Sequence, residues 1–382
     1  MYRAATGRRP FSATVEERRL SAASGARKDR GFSPVQETAI RTLNLCFLGF
    51  GNVNRTLVRL LEDRAQNLRE RYDISFRITG VASRRLGWIA DAEGLKSEAV
   101  LALNSDTSLG FWRTGVSAPH NNDVRKWLAA ARADVMFEAT SLNVESGQPA
   151  VDHIRAALEH GAHAITANKG PIVHAYRELR DLAAARGRRF LFESTVMDGV
   201  PIFSLFDQLP AIHLKGFHGI LNSTTNVILG EMEQGLSFDD ALKKAQSLGI
   251  AETDATHDID GWDAAVKTAA LITVLMDIPI RLDQIEREGI RGLTTQAVRN
   301  ARRDGWPFKL VCRAQRVGDG VRASVVPEKV LASSPMGQIS ATSSYIYFEM
   351  DIFPGLAITE ENPGLYATAY GLLADFVRAA ST

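Results

Sequence analysis

The stretch that most restricts the fold is LNLCFLGFGNVNRTLVRLLEDR, residues 43–64. Leu45, Phe47 and Leu48 form a short apolar run that reads as a buried strand, and Leu57, Leu60 and Leu61 recur at helical spacing. Between them lies Gly49-Phe50-Gly51. A glycine turn joining strand to helix opens a nucleotide-binding unit: Gly49 permits the tight turn, and Gly51 lets a pyrophosphate approach the backbone. The helix N-terminal amides, from Asn52 and Val53 onward, then face the anion. Asn54 stands where a third Gly or Ala is usual, and its larger side chain predicts looser packing of helix on strand.

The next strand, SFRITGVAS, ends in Ser83-Arg84-Arg85. An acid at this place would receive the ribose 2′-hydroxyl of NAD. A hydroxyl and two guanidiniums suit a 2′-phosphate instead, so NADP is the expected cofactor and NAD the alternative; two solvated arginines are the competing reading. Strand and helix patterns then alternate through DVMFEAT, GQPAVDHIRAALEHG, AHAITANKGP, VHAYRELRDLAAARG and RRFLFEST. Such alternation implies a doubly wound parallel sheet whose ligands sit beyond the carboxyl ends of the strands, where Glu138, Thr140, Asn168 and Lys169 fall. Thr140, Asn168 and Lys169 are therefore candidate cofactor contacts, and Lys169 reaches a nicotinamide ribose or the substrate unless it is a surface lysine. His153, His160 and His163 lie close together without the Cys or acid set of a metal site and read as solvated helix-end histidines.

After residue 192 the alternation stops. HLKGFHGILNSTTNVILGEMEQG combines a strand, a polar turn and a helix start, with Thr224, Thr225 and Asn226 as capping residues. IAETDATHDIDGWDAAVKTAALITVLM is an acidic loop leading into an apolar helix in which Lys267 is the only charge from Ala264 to Met276. Asp263 and Lys267 are four apart and share a helix face; an exposed ion pair of this spacing is common and weak. The apolar residues around Lys267 argue against exposure. Burial should lower its pKa and Asp263 should raise it again, a balance suited to proton exchange near neutral pH. Glu252 is placed to meet a cationic group, and Asp258 to orient Lys267 or line the same pocket.

Composition sets the remaining limits. With 382 residues, 45% hydrophobic and 23% charged, the chain is long enough for two domains of ordinary globular make-up. A net charge of +1 gives no field for nucleic acid or an anionic membrane. No apolar run approaches the roughly 18 residues of a membrane span. Two cysteines, Cys46 and Cys312, form no disulfide framework and fit a reducing cytoplasm, with Cys46 a buried, inert thiol. Residues 1–40, rich in Arg, Ser, Ala and Gly, read as a flexible extension. The expected architecture is α/β: a Rossmann-type doubly wound parallel sheet in residues 41–192, to which a helix in 360–382 returns, and a second α+β domain in 193–359.

Four segments in order, TANKGP, ESTVMDGVP, GILNSTTNVIL and AETDATHDIDGWDAAVK, together with the glycine turn, resemble the homoserine dehydrogenase family over roughly residues 43–280. The resemblance implies an oxidoreductase of threonine and methionine biosynthesis that interconverts aspartate semialdehyde and homoserine, in a short form without a regulatory domain. It assigns substrate and proton-transfer roles to Glu252, Asp263 and Lys267, cofactor and substrate contact to Lys169, and the substrate pocket to Thr224. Some members bind a monovalent cation, which here would use a Glu193 group and the backbone carbonyls of Val196, Asp198 and Val200. A homodimer built through the second domain is the family expectation. The chain departs from the family at Asn54, at Ser223 (usually Gly, crowding the pocket floor), at Ile250, and at Pro363-Gly364-Leu365-Tyr366, where a glycine-rich stretch is usual. These departures leave two other readings, a paralogue for another amino-acid aldehyde and a nucleotide-binding regulator without turnover.

Overall fold

The computed structural model describes residues 42–103 and 123–381; the 1–40 extension lies outside the described residues. Two six-stranded sheets organise them. The first contains β1 (Thr42–Leu48), β2 (Ser75–Ser83), β3 (Gly87–Leu95), β4 (Val135–Glu138), β5 (His163–Thr166) and β6 (Phe190–Leu191), in the order β3-β2-β1-β4-β5-β6. β2, β1, β4, β5 and β6 are parallel, so Leu48, Ser83, Glu138 and Thr166 all end on one edge. β3 departs from the all-parallel expectation: it turns back from Ser83 and pairs antiparallel to β2. The Ser83 hydroxyl holds this hairpin by accepting the Leu86 amide at 3.1 Å.

Side chains explain the layering. Leu45, Phe47 and Phe137 are fully buried, and the rings of Phe47 and Phe137 stack at 5.1 Å. The amphipathic helix Asn52–Tyr72 covers this face with Leu57, Val58 and Leu61. Beside it lies the helix Leu365–Ala380, whose Phe376 meets Phe137 at 5.9 Å and Phe76 at 6.5 Å, edge to face. Burying one such ring contributes roughly 2–3 kcal/mol. Helices Val124–Ala131, Ala150–His160 and Gly170–Ala185 contribute to the core cluster of the other face, where the indole of Trp127 donates to the Ile89 carbonyl at 2.8 Å.

The second sheet contains β7 (Leu214–Ile220), β8 (Glu286–Arg287), β9 (Phe308–Val317), β10 (Gly320–Lys329), β11 (Ser344–Met350) and β12 (Gly355–Glu360), ordered β12-β11-β7-β9-β10-β8. It is antiparallel except that β8 runs parallel to β10. Helices Ser223–Glu233 and Trp262–Leu275 bury Ile228, Leu271 and Ile272 with Phe217, Cys312 and Phe348 of the sheet. This cluster continues into Met136, Ile154 and Ile172, so the two sheets share one apolar core. Trp262–Leu275 is buried from Ala264 to Thr273 except at Lys267. It starts at Gly261, whose φ of +79° is a left-handed conformation that a side chain would strain.

Candidate active site

The glycine turn lies on the carboxyl edge of the first sheet. Gly49 has φ +80°, and a Cβ there would lie 2.5 Å from the Ala139 backbone, so only glycine fits. A Cβ on Gly51 would meet nothing within 4 Å, which leaves open space in front of the helix that begins at Asn52. No side chain caps this helix, so the first-turn amides of Asn52 and Val53 stay available for an anion. The looser packing expected from Asn54 does not occur. Its side chain is fully buried and its amide donates to the carbonyls of Leu48 (3.1 Å) and Gly49 (3.2 Å), stitching the helix to the strand end. Arg84 and Arg85 are exposed at the hairpin turn, with no carboxylate partner among the described residues.

A buried polar network shapes the next part of this edge. The Glu138 carboxylate accepts the Thr140 amide at 2.9 Å, the Thr140 hydroxyl, and the Thr166 hydroxyl at 2.7 Å. Burial pushes its pKa up against these three bonds. Asn168 donates to the Thr140 carbonyl at 3.1 Å and accepts the Gly170 amide at 2.9 Å. Asn168 therefore fixes the loop that presents Lys169 at the start of the Gly170–Ala185 helix.

Lys169 joins this edge to the second sheet. The Asp263 carboxylate lies between two ammoniums, with Lys169 Nζ 3.2 Å from Oδ1 and Lys267 Nζ 3.2 Å from Oδ2. All three side chains are 18% exposed. Lys267 also donates to the Leu221 carbonyl at 2.6 Å. The amide of Asn222 donates to Asp258 at 2.7 Å and to Asp263 at 3.0 Å, while its oxygen accepts the Thr225 amide as the helix cap. Thr224 is buried beside them and donates to the Ile250 carbonyl at 3.3 Å; Ser223 is half-buried in the same first turn.

The charges follow from this packing. Burial works against ionised Asp263, but Lys267, Lys169 and Asn222 outweigh it and hold the carboxyl well below its ordinary range. Burial and the neighbouring Asp263 push Asp258 up. Burial also opposes the Lys267 charge, yet Asp263, Asp198 and Asp258 together raise it above the ordinary lysine range. That corrects the sequence expectation of an amine poised near neutrality, because Asp198 and Asp258 add to the effect of Asp263.

Other expectations shift as well. Glu252 is exposed, and its carboxylate makes no hydrogen bond or ion pair among the described residues. The cap is Asn222 rather than Thr224, Thr225 or Asn226; an Asn before a helical run was the available signal. Asp198 and Glu360 face Lys267 unforeseen. Asp198 accepts the Thr368 hydroxyl at 2.5 Å, and Glu360, with one oxygen buried and unpartnered, is pushed up to about 7 by burial and Asp198. His153 is not a solvated histidine: it packs edge-on against Trp88 at 6.4 Å, and burial lowers it to about 4. Cys46 is buried and pushed up to about 12 by desolvation, as an inert thiol should be.

The cation expectation meets a specific obstacle. The Glu193 carboxylate accepts the amides of Phe203 (2.6 Å) and Ser204 (2.9 Å), and Arg378 stands 3.5 Å away. Each oxygen thus already serves one backbone amide, beside the fixed positive charge of Arg378. The Val200 carbonyl already accepts the Ile202 amide at 2.8 Å. Among the described residues no cluster of three His, Cys, Asp or Glu side chains is placed to hold a metal ion.

Residues 49–193 match the family model for the NAD-binding domain of homoserine dehydrogenase, and residues 201–377 match the homoserine dehydrogenase model itself. The chain belongs to the homoserine dehydrogenase family. It is 33% identical to an NAD(+)-dependent homoserine dehydrogenase of Pseudomonas canavaninivorans, over 87% of this chain and 95% of that one. Among solved structures, a homoserine dehydrogenase from Thiobacillus denitrificans superposes with a TM-score of 0.73 at 27% identity, covering 89% of this chain and 74% of the other. A mutant hyperthermophilic archaeal homoserine dehydrogenase in complex with NADPH superposes at 0.72 with 25% identity, covering 89% and 98%. This homoserine dehydrogenase is therefore an oxidoreductase with a nicotinamide-dinucleotide-binding domain. No helix among the described residues is long and apolar enough to cross a membrane.

Proposed function

We propose that this homoserine dehydrogenase interconverts aspartate semialdehyde and homoserine with a preference for NADP, using Lys267 as the proton donor and acceptor. The observation that carries the reading is the Asp263 carboxylate bridging Lys169, on the strand edge, to Lys267, on the buried helix. The open space before Gly51 and the uncapped helix behind it suit a dinucleotide phosphate, held by the amides of Asn52 and Val53. Thr140 and Asn168 border the nicotinamide side, and Ser83, Arg84 and Arg85 the adenosine ribose. The two unpartnered guanidiniums favour a 2′-phosphate.

When bound, the nicotinamide exchanges a hydride with the substrate carbon. In reduction Lys267 gives its proton to the aldehyde oxygen as negative charge develops there. The surrounding carboxylates keep it loaded throughout the neutral range. In oxidation Lys267 must first release its own proton before it accepts that of the substrate hydroxyl. Asp263 fixes the distance between the two ammoniums and orients the substrate oxygen. Lys169 receives the substrate carboxylate or the ribose, while Thr224, Ser223 and Asp258 form the pocket floor. Glu252, exposed and unpaired on the loop before the helix, takes the substrate ammonium. The working unit is a cytoplasmic homodimer built through the second sheet.

The test is NADPH oxidation with aspartate semialdehyde. Lys267→Ala is expected to lower turnover at least about 100-fold, the usual range for losing an acid–base group. Turnover within a few-fold of the unsubstituted enzyme would rule the assignment out.

A further inference from the structure

A cavity lies away from this site. It measures about 750 Å³, a size typical of small-molecule pockets. Its floor is aromatic: Phe192 meets Tyr176 edge-on at 5.7 Å and Phe203 at 4.8 Å, and Phe206 completes the wall. Its rim is cationic. Arg180, Arg188, Arg189 and Arg378 line it against only two acids, Glu193 and Asp207. Both acids are committed to Arg378, at 3.5 and 2.7 Å. Arg188 donates to the carbonyls of Gly161 and Gly187, and neither it nor exposed Arg189 has a carboxylate partner among the described residues. Arg180 pairs with Asp181 at 2.9 Å, so Arg188 and Arg189 are the two lining guanidiniums without a carboxylate partner among the described residues; an apolar slot bearing them suits a flat apolar body carrying a negative charge.

The cavity also has a mechanical relation to the active site. The helix Gly170–Ala185 starts next to Lys169 and lines the cavity with Tyr176, Arg180 and Ala183. Between these two ends it is broken at Ala175, whose φ of −146° and ψ of 18° are not helical. The helix Trp262–Leu275 carries Asp263 in its first turn and lines the cavity with Val274 and Leu275 in its last. Arg177, midway along the first helix, is tied to the residue just past the end of the second, donating to the Asp277 carbonyl at 2.7 Å and pairing with its carboxylate at 3.1 Å. A ligand pressing on Tyr176 thus acts on one side of a break whose other side holds Lys169.

We propose that this cavity is a second ligand site, for an aromatic or similarly flat organic anion, and that its occupancy alters substrate binding through the Lys169–Asp263 contact. The coupling rests on the active-site assignment above; the binding does not. The probe is 8-anilinonaphthalene-1-sulfonate, an anion on a flat aromatic body, titrated by fluorescence into the full chain with NADP and homoserine saturating. One probe per chain is expected. Arg189→Glu, at an exposed position, should weaken it at least about 10-fold, Arg189→Lys should hold it within about 3-fold, and uncharged N-phenyl-1-naphthylamine should ignore both changes. Bound probe should shift the KM for aspartate semialdehyde at least about 3-fold, and this shift should vanish in Arg189→Glu. Failure of the probe to bind while NADP and homoserine saturate the chain, or affinity unchanged by Arg189→Glu, overturns the site. Arg189-dependent binding that leaves KM unchanged overturns the coupling. Absence of turnover in the unsubstituted enzyme without probe would instead count against the active-site assignment and leave the binding result standing.

Discussion

Replacing Asp263 by Asn removes one negative charge from between two ammoniums while keeping a side chain of nearly the same shape. The Lys267 ammonium stands 3.2 Å from that carboxylate. At an effective dielectric near 20, a pair of unit charges at this distance is worth roughly 5 kcal/mol. Asp198, Asp258 and the Leu221 carbonyl remain to support the ammonium. Taking about half the Coulomb figure as lost gives a fall of about 2 pKa units, at 1.36 kcal/mol per unit. The enzyme with Asp263 should therefore reduce aspartate semialdehyde at a rate insensitive to deprotonation of Lys267 until pH exceeds the ordinary lysine value of 10.5. In Asp263→Asn the basic limb should move down by about 2 units, leaving the variant closest to normal near pH 6 and weakest near pH 9. The assay is kcat/KM for reduction measured across this range in one mixed buffer of constant ionic strength. A uniform loss at every pH, or an unmoved basic limb, would refute the electrostatic role and leave Asp263 as a purely steric element.

Three further outcomes follow from the packing. Asn54→Ala should lower stability by about 1 kcal/mol: two donated bonds are lost, while the Leu48 carbonyl keeps the Ala139 amide and the Gly49 carbonyl keeps the Gly51 amide. It should also raise the KM for cofactor; urea unfolding and initial rates measure the two effects. The charge reversals Arg84→Glu and Arg85→Glu together should shift preference from NADP toward NAD by at least about 10-fold in kcat/KM, because a carboxylate repels the 2′-phosphate and accepts the 2′-hydroxyl; equal losses with both cofactors would exclude this role. Burial pushes Asp375 from 3.8 up to about 7, so its ionisation costs stability that is fully felt above pH 7 and relieved as pH falls toward 4. Asp375→Asn should accordingly raise Tm at pH 8, by on the order of 2 kcal/mol of added stability, with a smaller gain at pH 5 and little change at pH 4.

What could be read from the chain depended on how local the signal was. The strand, glycine turn and helix at 43–64 carry their pattern in consecutive residues, and the structure places them as read. The burial of Trp262–Leu275 was equally legible, because nearly every side chain in it is apolar. β3 was not, because GWIADAEGL mixes buried Ile89 and Ala90 with exposed and half-exposed residues and has no clean alternation. Asn222 escaped notice because its amide serves carboxylates 36 and 41 residues away in sequence, a relation that only the fold creates. The direction of the Lys267 shift failed for the same reason. Asp198 reaches it from the segment after β6, far from the acidic loop that the sequence places beside it.

The helix Leu365–Ala380 gives the nucleotide-binding half a dependence that its own residues do not suggest. Phe376 closes over Phe137 and Phe76, and Thr368 of the same helix grips Asp198 beneath Lys267. A fragment cut after residue 193 would leave that aromatic seam bare to water and prone to self-association. During synthesis on the ribosome, the early half must wait, unfinished, until this distant stretch emerges to seal it.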